Sequence, residues 1–292
     1  MKRQIIFFDS GYNFLEWEMK PIRDALNKKG IQTILIHDKE MFKDTASSVV
    51  VSNVPENGIW NDLLNRNNKI IQVTRSKDTC MSPRWINISA NLICVASTIE
   101  QEAVSRIMGK NRVSLTGMPY LDYYGNVKNE PLDIILGIQV SFDAHGVTFT
   151  HQDDFLKDFY EEFPKKKHLD NLWFRMHMNH LDWRDRFIRR KIDMPVQETP
   201  FLLKNSSGIY TSHFSFMLME ACLFDKPIYI HHDNPEWRDK IENKINYMGW
   251  WSGYKWHELE KETKRKELKE SYKINLDFNS GKRVAEEIMK FI

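Results

Sequence analysis

The chain has 292 residues, which is longer than the commonest single-domain size, and two domains of similar size are therefore expected. Hydrophobic residues make up 41% of the sequence and aromatic residues 12%, which is enough for packed cores and excludes an intrinsically disordered chain. Lys and Arg number 42 against 40 Asp and Glu, so the net charge of +2 does not indicate a nucleic-acid-binding protein, although a local basic cluster would still allow one.

The cysteines and the first residues indicate the compartment. Cys80, Cys94 and Cys222 form no Cys-x-x-Cys pair, and the last two lie in apolar runs, as buried free thiols do in a reducing compartment. The first apolar run has only four residues before Asp9, which is too short for a signal peptide or a membrane span. We expect a soluble cytoplasmic protein without an integral membrane segment.

The first part of the chain alternates short apolar runs with amphipathic stretches. Ile5–Phe8 is continuously apolar, as buried parallel strands are, and the amphipathic stretch 14–29 ends at Gly30, a helix C-cap position. Further strands are predicted at 33–37, 48–52, 69–73, 92–96 and 112–116, with further helices at 58–67 and 98–108.

The same pattern starts again after residue 131. Strands are predicted at 132–139, 172–176, 208–211 and 227–231, and helices at 153–163, 214–224, 257–269 and 280–292. This alternation predicts an α/β fold with parallel sheets, arranged as two Rossmann-like domains that face a cleft, where ligands bind at the carboxyl ends of the strands. The predicted limits are 1–127 for the N-terminal domain, 128–279 for the C-terminal domain and 280–292 for a terminal helix.

The segment 208–227, GIYTSHFSFMLMEACLFDKP, is the most informative part of the chain. It predicts a strand, a turn with the polar side chains Thr211, Ser212, His213 and Ser215, an apolar helix and a second strand. The first N–H groups of a helix are unpaired and its dipole favours negative charge, so this turn is a candidate anion site. An ordinary helix N-cap is the alternative interpretation.

Several motifs in this order resemble a known family. They are NRNNKIIQVTRSKD (65–78), VSLTGMPYLD (113–122), WFRMH (173–177), the turn just described and SGKRVAEEI (280–288). Together they resemble the two-domain GT-B transferases, in particular the branch of CDP-glycerol glycerophosphotransferases and related capsule and teichoic-acid enzymes. The resemblance covers nearly the whole chain and implies an N-terminal acceptor domain and a C-terminal domain for the nucleotide donor.

The turn departs from the family pattern in part. Ser212 is aligned with the family's Thr, His213 with its Asp and Ser215 with its first Ser, whereas Phe216 replaces the second Ser. The resemblance therefore implies an anion site of altered composition.

A second departure concerns catalysis. Thr74-Arg75 stands where the family has the His-Gly of its presumed catalytic base, and Met178 replaces the Pro of its Arg-x-His-Pro motif. The chain therefore uses another base, uses another chemistry or has lost activity.

The resemblance implies a set of donor-binding residues, which are Arg175, His177, Ser212, His213, Ser215 and Glu220. An Arg side chain presents a fork that matches phosphate oxygens, and Arg175 and His177 alternate along a strand end, so they point to the same side. Glu220 is expected to accept hydrogen bonds from the donor ribose. The alternatives are a core histidine for His177 and an exposed helix residue for Glu220.

Asp9 directly follows the first strand, and its carboxylate is a candidate base for an acceptor hydroxyl if partial burial raises its pKa. The alternative is an Asx-type cap of the following helix. Asp78 is the next candidate. Arg75 suits an anionic acceptor but cannot act as a base.

No metal or cofactor is expected. His231 and His232 are adjacent on a strand, so their rings face opposite sides, and no Asp-x-Asp motif is present. Trp256 is expected in the core.

The sequence thus favours a transferase that moves a sugar or polyol phosphate from a nucleotide donor to an acceptor hydroxyl. The expected acceptor is a cell-envelope polymer or, because residues 65–84 and 165–191 mix basic and aromatic side chains, hydroxylated DNA. A non-catalytic nucleotide-sugar binding protein and, third, a sugar-nucleotide 2-epimerase are the alternatives.

Overall fold

The computed structural model describes residues 3–8, 14–36, 46–53, 63–64, 66–74, 86–138, 152–175, 191–192, 199–212, 215–231 and 255–292. The chain divides into two compact units. Unit 1 contains Met1–Asn126, Gly249–Gly253 and Ser271–Ile292, and unit 2 contains Val127–Met248 and Tyr254–Glu270.

Within the described residues the strands and helices alternate along most of the chain. The strands are β1 (Ile5–Phe8), β2 (Thr33–Ile36), β3 (Val49–Ser52), β4 (Lys69–Val73), β5 (Leu92–Val95), β6 (Val113–Leu115), β7 (Ile135–Ile138), β8 (Leu172–Arg175), β9 (Lys191–Ile192), β10 (Gly208–Thr211) and β11 (Ile228–Ile230). The α-helices are α1 (Phe14–Asn27), α2 (Thr98–Met108), α3 (Gln152–Lys157), α4 (Phe163–Lys166), α5 (Thr199–Asn205), α6 (Phe216–Leu223), α7 (Glu262–Tyr272) and α8 (Ser280–Met289).

Unit 1 is built on a parallel six-stranded sheet with the order β2-β1-β3-β4-β5-β6. Strands β1, β3 and β5 are buried along their whole length, as expected for apolar runs covered on both faces. The strand order reverses between β1 and β3, and such a reversal opens a crevice at the carboxyl ends of the strands.

The terminal helix α8 packs on α1 in unit 1. A Cβ atom built on Gly281 would lie 2.8 Å from the carbonyl oxygen of Pro21, so the two helices approach as closely as a glycine allows. Val284, Ala285 and Ile288 continue the contact into the core cluster that contains Ile22. The last residues thus complete the first unit.

Unit 2 is built on a parallel five-stranded sheet with the order β11-β10-β7-β8-β9. The chain starts in the middle at β7, adds β8 and β9 on one side and then β10 and β11 on the other. The strand order therefore reverses between β7 and β10.

The helical segment after α3 contains a π-turn, Asp158–Glu162, that joins α3 to α4. The N–H of Phe163 donates to the carbonyl of Asp158 rather than to that of Phe159. The next candidate donor for Phe159 is residue 164, which is a proline and has no N–H. The Tyr210 hydroxyl donates to this carbonyl at 2.7 Å instead.

The predicted α/β class with parallel sheets is confirmed, as are β1, β4, β10 and α2 with the bounds given by the sequence. The predicted helix 153–163 is found within a longer helical segment, which changes from α to π geometry at Asp158–Glu162. Strand β9 and helix α5 were not predicted, and most of the predicted helix 58–67 lies outside the described residues.

Three side chains that were predicted to be buried are buried in the structure. Cys94 and Cys222 are buried free thiols, and burial raises the pKa of each to about 12. Trp256 is fully buried. No helix among the described residues is long and apolar enough to cross a membrane.

Candidate functional site

The candidate anion site lies at the carboxyl edge of the sheet in unit 2. Arg175 ends β8 and is in register with Ile138 of β7, while Tyr210 of β10 is in register with Gly137 of the same strand. Thr211 therefore lies level with Arg175, two strands and about 10 Å away. The turn after Thr211 begins where the strand order reverses, which is where open α/β sheets bind ligands.

Ser212 is the side chain that most clearly points to a ligand. It is fully buried, and its hydroxyl has no hydrogen-bond partner among the described residues. A buried hydroxyl without a partner raises the free energy of the empty protein, so such groups call for an explanation such as a bound polar ligand.

Ser215 begins helix α6 as its N-cap. Its hydroxyl oxygen accepts a hydrogen bond from the N–H of Met217 at 3.4 Å, and its backbone dihedrals are extended. The capping alternative is therefore correct for this residue. Since the hydroxyl oxygen acts as the acceptor, the hydroxyl proton is still available for donation.

Glu220 lies on α6 and is only 5% exposed. The alternative of an exposed helix residue is therefore wrong. The helix is apolar and buried over Met217–Leu223, which explains why its carboxylate is taken into the interior. Arg175 is half-buried. His177 and His213 lie outside the described residues.

Beside this turn lies a buried polar group that the sequence analysis treated only as a possible metal ligand. His231 follows β11, is fully buried, and its Nε2 lies 3.2 Å from Oδ2 of Asp158. Its Nδ1 lies 3.4 Å from the hydroxyl of Tyr210. The contact with His231 is the main cause that lowers the pKa of Asp158. The sequence signal was Pro164, which has no N–H and lies in the helical segment that carries Asp158.

In unit 1 the carboxyl edge carries polar groups at the corresponding reversal. Asn53 follows β3, is nearly buried, and donates to a carboxylate oxygen of Glu18 at 3.3 Å. Asp9, which the sequence analysis proposed as a base, lies outside the described residues, as do Arg75 and Asp78.

Thr74, which stands in place of the family's His, is described and buried. Its hydroxyl donates to the carbonyl of Cys94 at 3.1 Å, so it secures the end of β4 against β5. A threonine hydroxyl held in this way is not a substitute base. Within the described part of the chain, no three His, Cys, Asp or Glu side chains are grouped in a way that would hold a metal ion.

No known protein family and no curated protein matches this sequence. The fold, in contrast, is similar to solved structures along nearly the whole chain. The wall teichoic acid polymerase TagF is 15% identical with a TM-score of 0.59, and the match covers 98% of this chain and 88% of that one.

Two other similar structures have a uridine nucleotide or nucleotide sugar in their names. The MnaA protein of S. aureus, solved with UDP, is 12% identical with a TM-score of 0.60 and matches 100% of this chain and 98% of its own. The UDP-GlcNAc 2-epimerase of Methanocaldococcus jannaschii is 17% identical with a TM-score of 0.55, and the match covers 99% of this chain and 100% of that one. At these identities the likeness shows the fold, and the expected GT-B fold with two Rossmann-like units is confirmed.

Proposed function

We propose that this protein is a GT-B transferase that moves a sugar or polyol phosphate from a nucleotide donor to an acceptor hydroxyl. The observation that carries the proposal is the buried hydroxyl of Ser212, which has no partner among the described residues and lies at the strand-order reversal of unit 2. A donor diphosphate supplies the acceptor that this hydroxyl lacks among the described residues.

The diphosphate is bound by donors that converge on the start of α6. The hydroxyls of Ser212 and Ser215 donate to phosphate oxygens, and the first N–H groups of α6 add the favourable end of the helix dipole. Arg175 contributes its guanidinium from the same edge of the sheet. His177 and His213 complete the set proposed from the sequence.

These donors act when the bond to the leaving group breaks. Negative charge then accumulates on the nucleotide diphosphate or monophosphate, and donors fixed in advance stabilise that charge without reorganising. Glu220 is the proposed acceptor for the ribose hydroxyls, which fits a carboxylate that is kept away from bulk water.

The acceptor site belongs to unit 1 in this proposal. Asp9, with Asp78 as the alternative, would remove the acceptor proton, and Arg75 would bind an acidic acceptor. TagF is by name a wall teichoic acid polymerase, which favours a cell-envelope polymer as the acceptor.

Hydroxylated DNA as the acceptor gains no support from the described part of 165–191. Lys165 is paired with Glu162 at 3.1 Å, and Lys167 lies over the ring of Phe163 at 5.3 Å. Both lysines therefore make contacts within their own helical segment.

Thermal unfolding in the presence of CDP, UDP, GDP and CMP tests the donor site, because a ligand that binds only the folded state raises its stability. We expect at least one nucleotide to raise the melting temperature of the wild type, and Ser212→Ala to reduce that rise. Ser207→Ala is the matched control, since Ser207 is exposed at the opposite end of β10. The absence of any shift, or an unchanged shift in Ser212→Ala, overturns the donor-site assignment.

Product analysis separates the three activities that this fold allows. Incubation with CDP-glycerol or UDP-GlcNAc and an acceptor releases the free nucleotide if the protein is a transferase. Conversion of UDP-GlcNAc to its 2-epimer with the nucleotide still attached identifies an epimerase. Binding without either product identifies a non-catalytic binding protein.

A further inference from the structure

His231 occupies a buried site directly beside the turn that carries Ser212. Its backbone N–H donates to the carbonyl of Thr211 at 2.9 Å, which fixes it to the end of β10. Its ring is fully buried and stands edgewise to three phenylalanine rings at centroid distances of 5.4, 5.4 and 4.6 Å, which are those of Phe155, Phe159 and Phe163.

The hydrogen bonds around the ring determine how many protons it carries. The single hydroxyl proton of Tyr210 is donated to the Phe159 carbonyl at 2.7 Å, which the π-turn and Pro164 leave without a helical donor. The Tyr210 oxygen therefore faces Nδ1 of His231, at 3.4 Å, as an acceptor. On the other side of the ring, Nε2 lies 3.2 Å from a carboxylate oxygen of Asp158, which is an ion-pair distance without the alignment of a hydrogen bond.

Both neighbours of the ring are thus acceptor oxygens, and a neutral imidazole has one N–H to offer, whereas an imidazolium has two. The charged form alone turns an N–H toward each of these two oxygens, whereas either neutral tautomer leaves a nitrogen lone pair facing an oxygen lone pair. Two charged groups lie near the ring. The carboxylate of Asp158 faces it from the π-turn and favours the charged form, whereas Lys166, 3.6 Å from the other oxygen of Asp158, is a like charge that opposes it.

The sheet register places this ring next to the candidate anion site. Tyr210 is in register with Tyr229, and side chains two residues apart on a strand share a face, so Tyr210 and His231 lie on one face. Continuing the register by one residue sets Ser212 beside His231 on that same face, one strand spacing of about 4.8 Å away.

We propose that His231 is held as an imidazolium by Asp158 and Tyr210, and that it provides a buried positive charge beneath the diphosphate site at Ser212. The ligand in this inference, a nucleoside diphosphate, rests on the proposed function. The charge of the His231 ring does not depend on it. His231 acts at a distance, without contacting the nucleotide, and its buried aromatic surroundings screen a charge only weakly.

Nitrogen-15 spectra of the histidine-labelled full chain test the charge directly and need no nucleotide. We expect both ring nitrogens of His231 to be protonated at about pH 7.5, a condition at which an unperturbed histidine is mostly neutral. The resonance is assigned by its loss in His231→Gln or, if that variant does not fold, by its displacement in Tyr210→Phe. A single protonated ring nitrogen in the wild type overturns the proposal.

Calorimetric titration with CDP and UDP tests the effect on the ligand. Asp158→Asn, which removes the counter-ion but keeps the shape, is expected to leave His231 neutral and to weaken nucleotide binding about tenfold, as expected for a weakly screened charge that acts without contact. Lys165→Ala, an exposed residue of the same segment, is the control and is expected to bind as the wild type does. Wild-type affinity in Asp158→Asn overturns the role of the charge.

The two proposals fail separately. If the wild type binds no nucleotide, the donor proposal and the role of His231 in it are both overturned, while the spectra still decide the charge of the ring. If the wild type binds and Asp158→Asn binds equally well, only the inference about His231 is overturned.

Discussion

The carboxylate of Asp122 accepts a hydrogen bond from the backbone N–H of Gly281 at 2.7 Å and a second one from the neighbouring N–H of Ser280 at 2.8 Å. These bonds join the motif 113–122 to the motif 280–288, between residues that are 158 positions apart in the sequence. The carboxylate at the end of the first motif caps helix α8, which contains the second. Burial raises the pKa of Asp122 although both N–H groups act in the opposite direction. Desolvation of the ionised carboxylate therefore offsets part of the stabilisation that this cap provides.

Loss of this cap is expected to destabilise the protein. Asp122→Ala removes both acceptors and should lower the free energy of unfolding by about 1–2 kcal/mol, as for other helix caps. Asp122→Asn keeps one acceptor without a charge and should cost less. Urea denaturation followed by fluorescence measures both, with Glu286→Ala, an exposed residue of α8, as the control. An Asp122→Ala loss no larger than that of the control contradicts the capping role.

Two glycines of unit 1 should respond differently to alanine. Gly30 has a φ of +73° with nothing within 4 Å of an added Cβ, so Gly30→Ala should lose about 1 kcal/mol of conformational energy. Gly281→Ala would place its Cβ 2.7 Å from the backbone carbon of Pro21, so the helices must separate, at about 1–3 kcal/mol. The same denaturation experiment compares them. A Gly281→Ala loss below that of Gly30→Ala would contradict the close packing of α8 on α1.

The π-turn predicts a coupling between two residues that do not share an element. Tyr210→Phe removes the donor to the Phe159 carbonyl and should destabilise the protein by about 1–2 kcal/mol. In a Pro164→Ala background residue 164 has an N–H, so the loss should be smaller by about 1 kcal/mol. A double-mutant cycle measures this coupling, with Tyr229→Phe, half-buried on the next strand, as the control. Strict additivity would show that Pro164 does not cause the unpaired carbonyl.

Stability should depend on pH through Asp158, whose pKa is lowered in the folded protein. The carboxylate binds its proton less readily when folded, so its contribution is present above the unfolded value of 3.8 and is lost as the pH falls through the folded pKa. The difference in unfolding free energy between wild type and Asp158→Asn should therefore be largest near neutral pH and shrink below about pH 3.8. Glu162→Gln, on the same π-turn, is the control. A difference that stays constant down to acid pH would contradict the ion pair with His231.

Much of the fold could be predicted because burial on both faces of a parallel sheet requires continuous apolar runs, such as Ile5–Phe8. The two-residue strand β9 is too short to show a period, and it forms because β8 offers it an edge. For the site, sequence reasoning selected Ser212 and Glu220 as candidates but could not show that both are buried. Burial of a polar side chain depends on packing between distant segments, which the local sequence pattern does not show.

The network around His231 was missed for a related reason. Its members, Asp158, Tyr210 and His231, are contributed by three elements, and the orientation of Asp158 depends on a change of helix type at Pro164. A proline just beyond a predicted helix is a signal for such a break. The side chain that donates to the freed carbonyl, Tyr210, is known only from the tertiary structure.

Ser212→Ala should stabilise the nucleotide-free protein but reduce the stabilisation that a nucleotide provides. Because its buried hydroxyl has no partner among the described residues, Ser212→Ala removes an unsatisfied polar group and should raise the free energy of unfolding by about 1 kcal/mol in the absence of nucleotide. Ser206 is the matched control, since it is equally buried and donates to the carbonyl of Leu203 at 3.2 Å. Ser206→Ala should therefore lower the stability by a similar amount.

The two serines should exchange rank when a nucleotide is present. With saturating CDP or UDP, whichever binds, the wild type gains stability through the ligand, while Ser212→Ala gains less because its contact with the phosphate is absent. Ser206→Ala should gain as much as the wild type does. Two results together would show that the Ser212 hydroxyl serves a bound anion and destabilises the ligand-free protein. Without ligand, the two substitutions change the free energy of unfolding in opposite directions, and with ligand the order of the two variants is reversed. Destabilisation of the empty protein by Ser212→Ala would instead identify it as an ordinary structural serine.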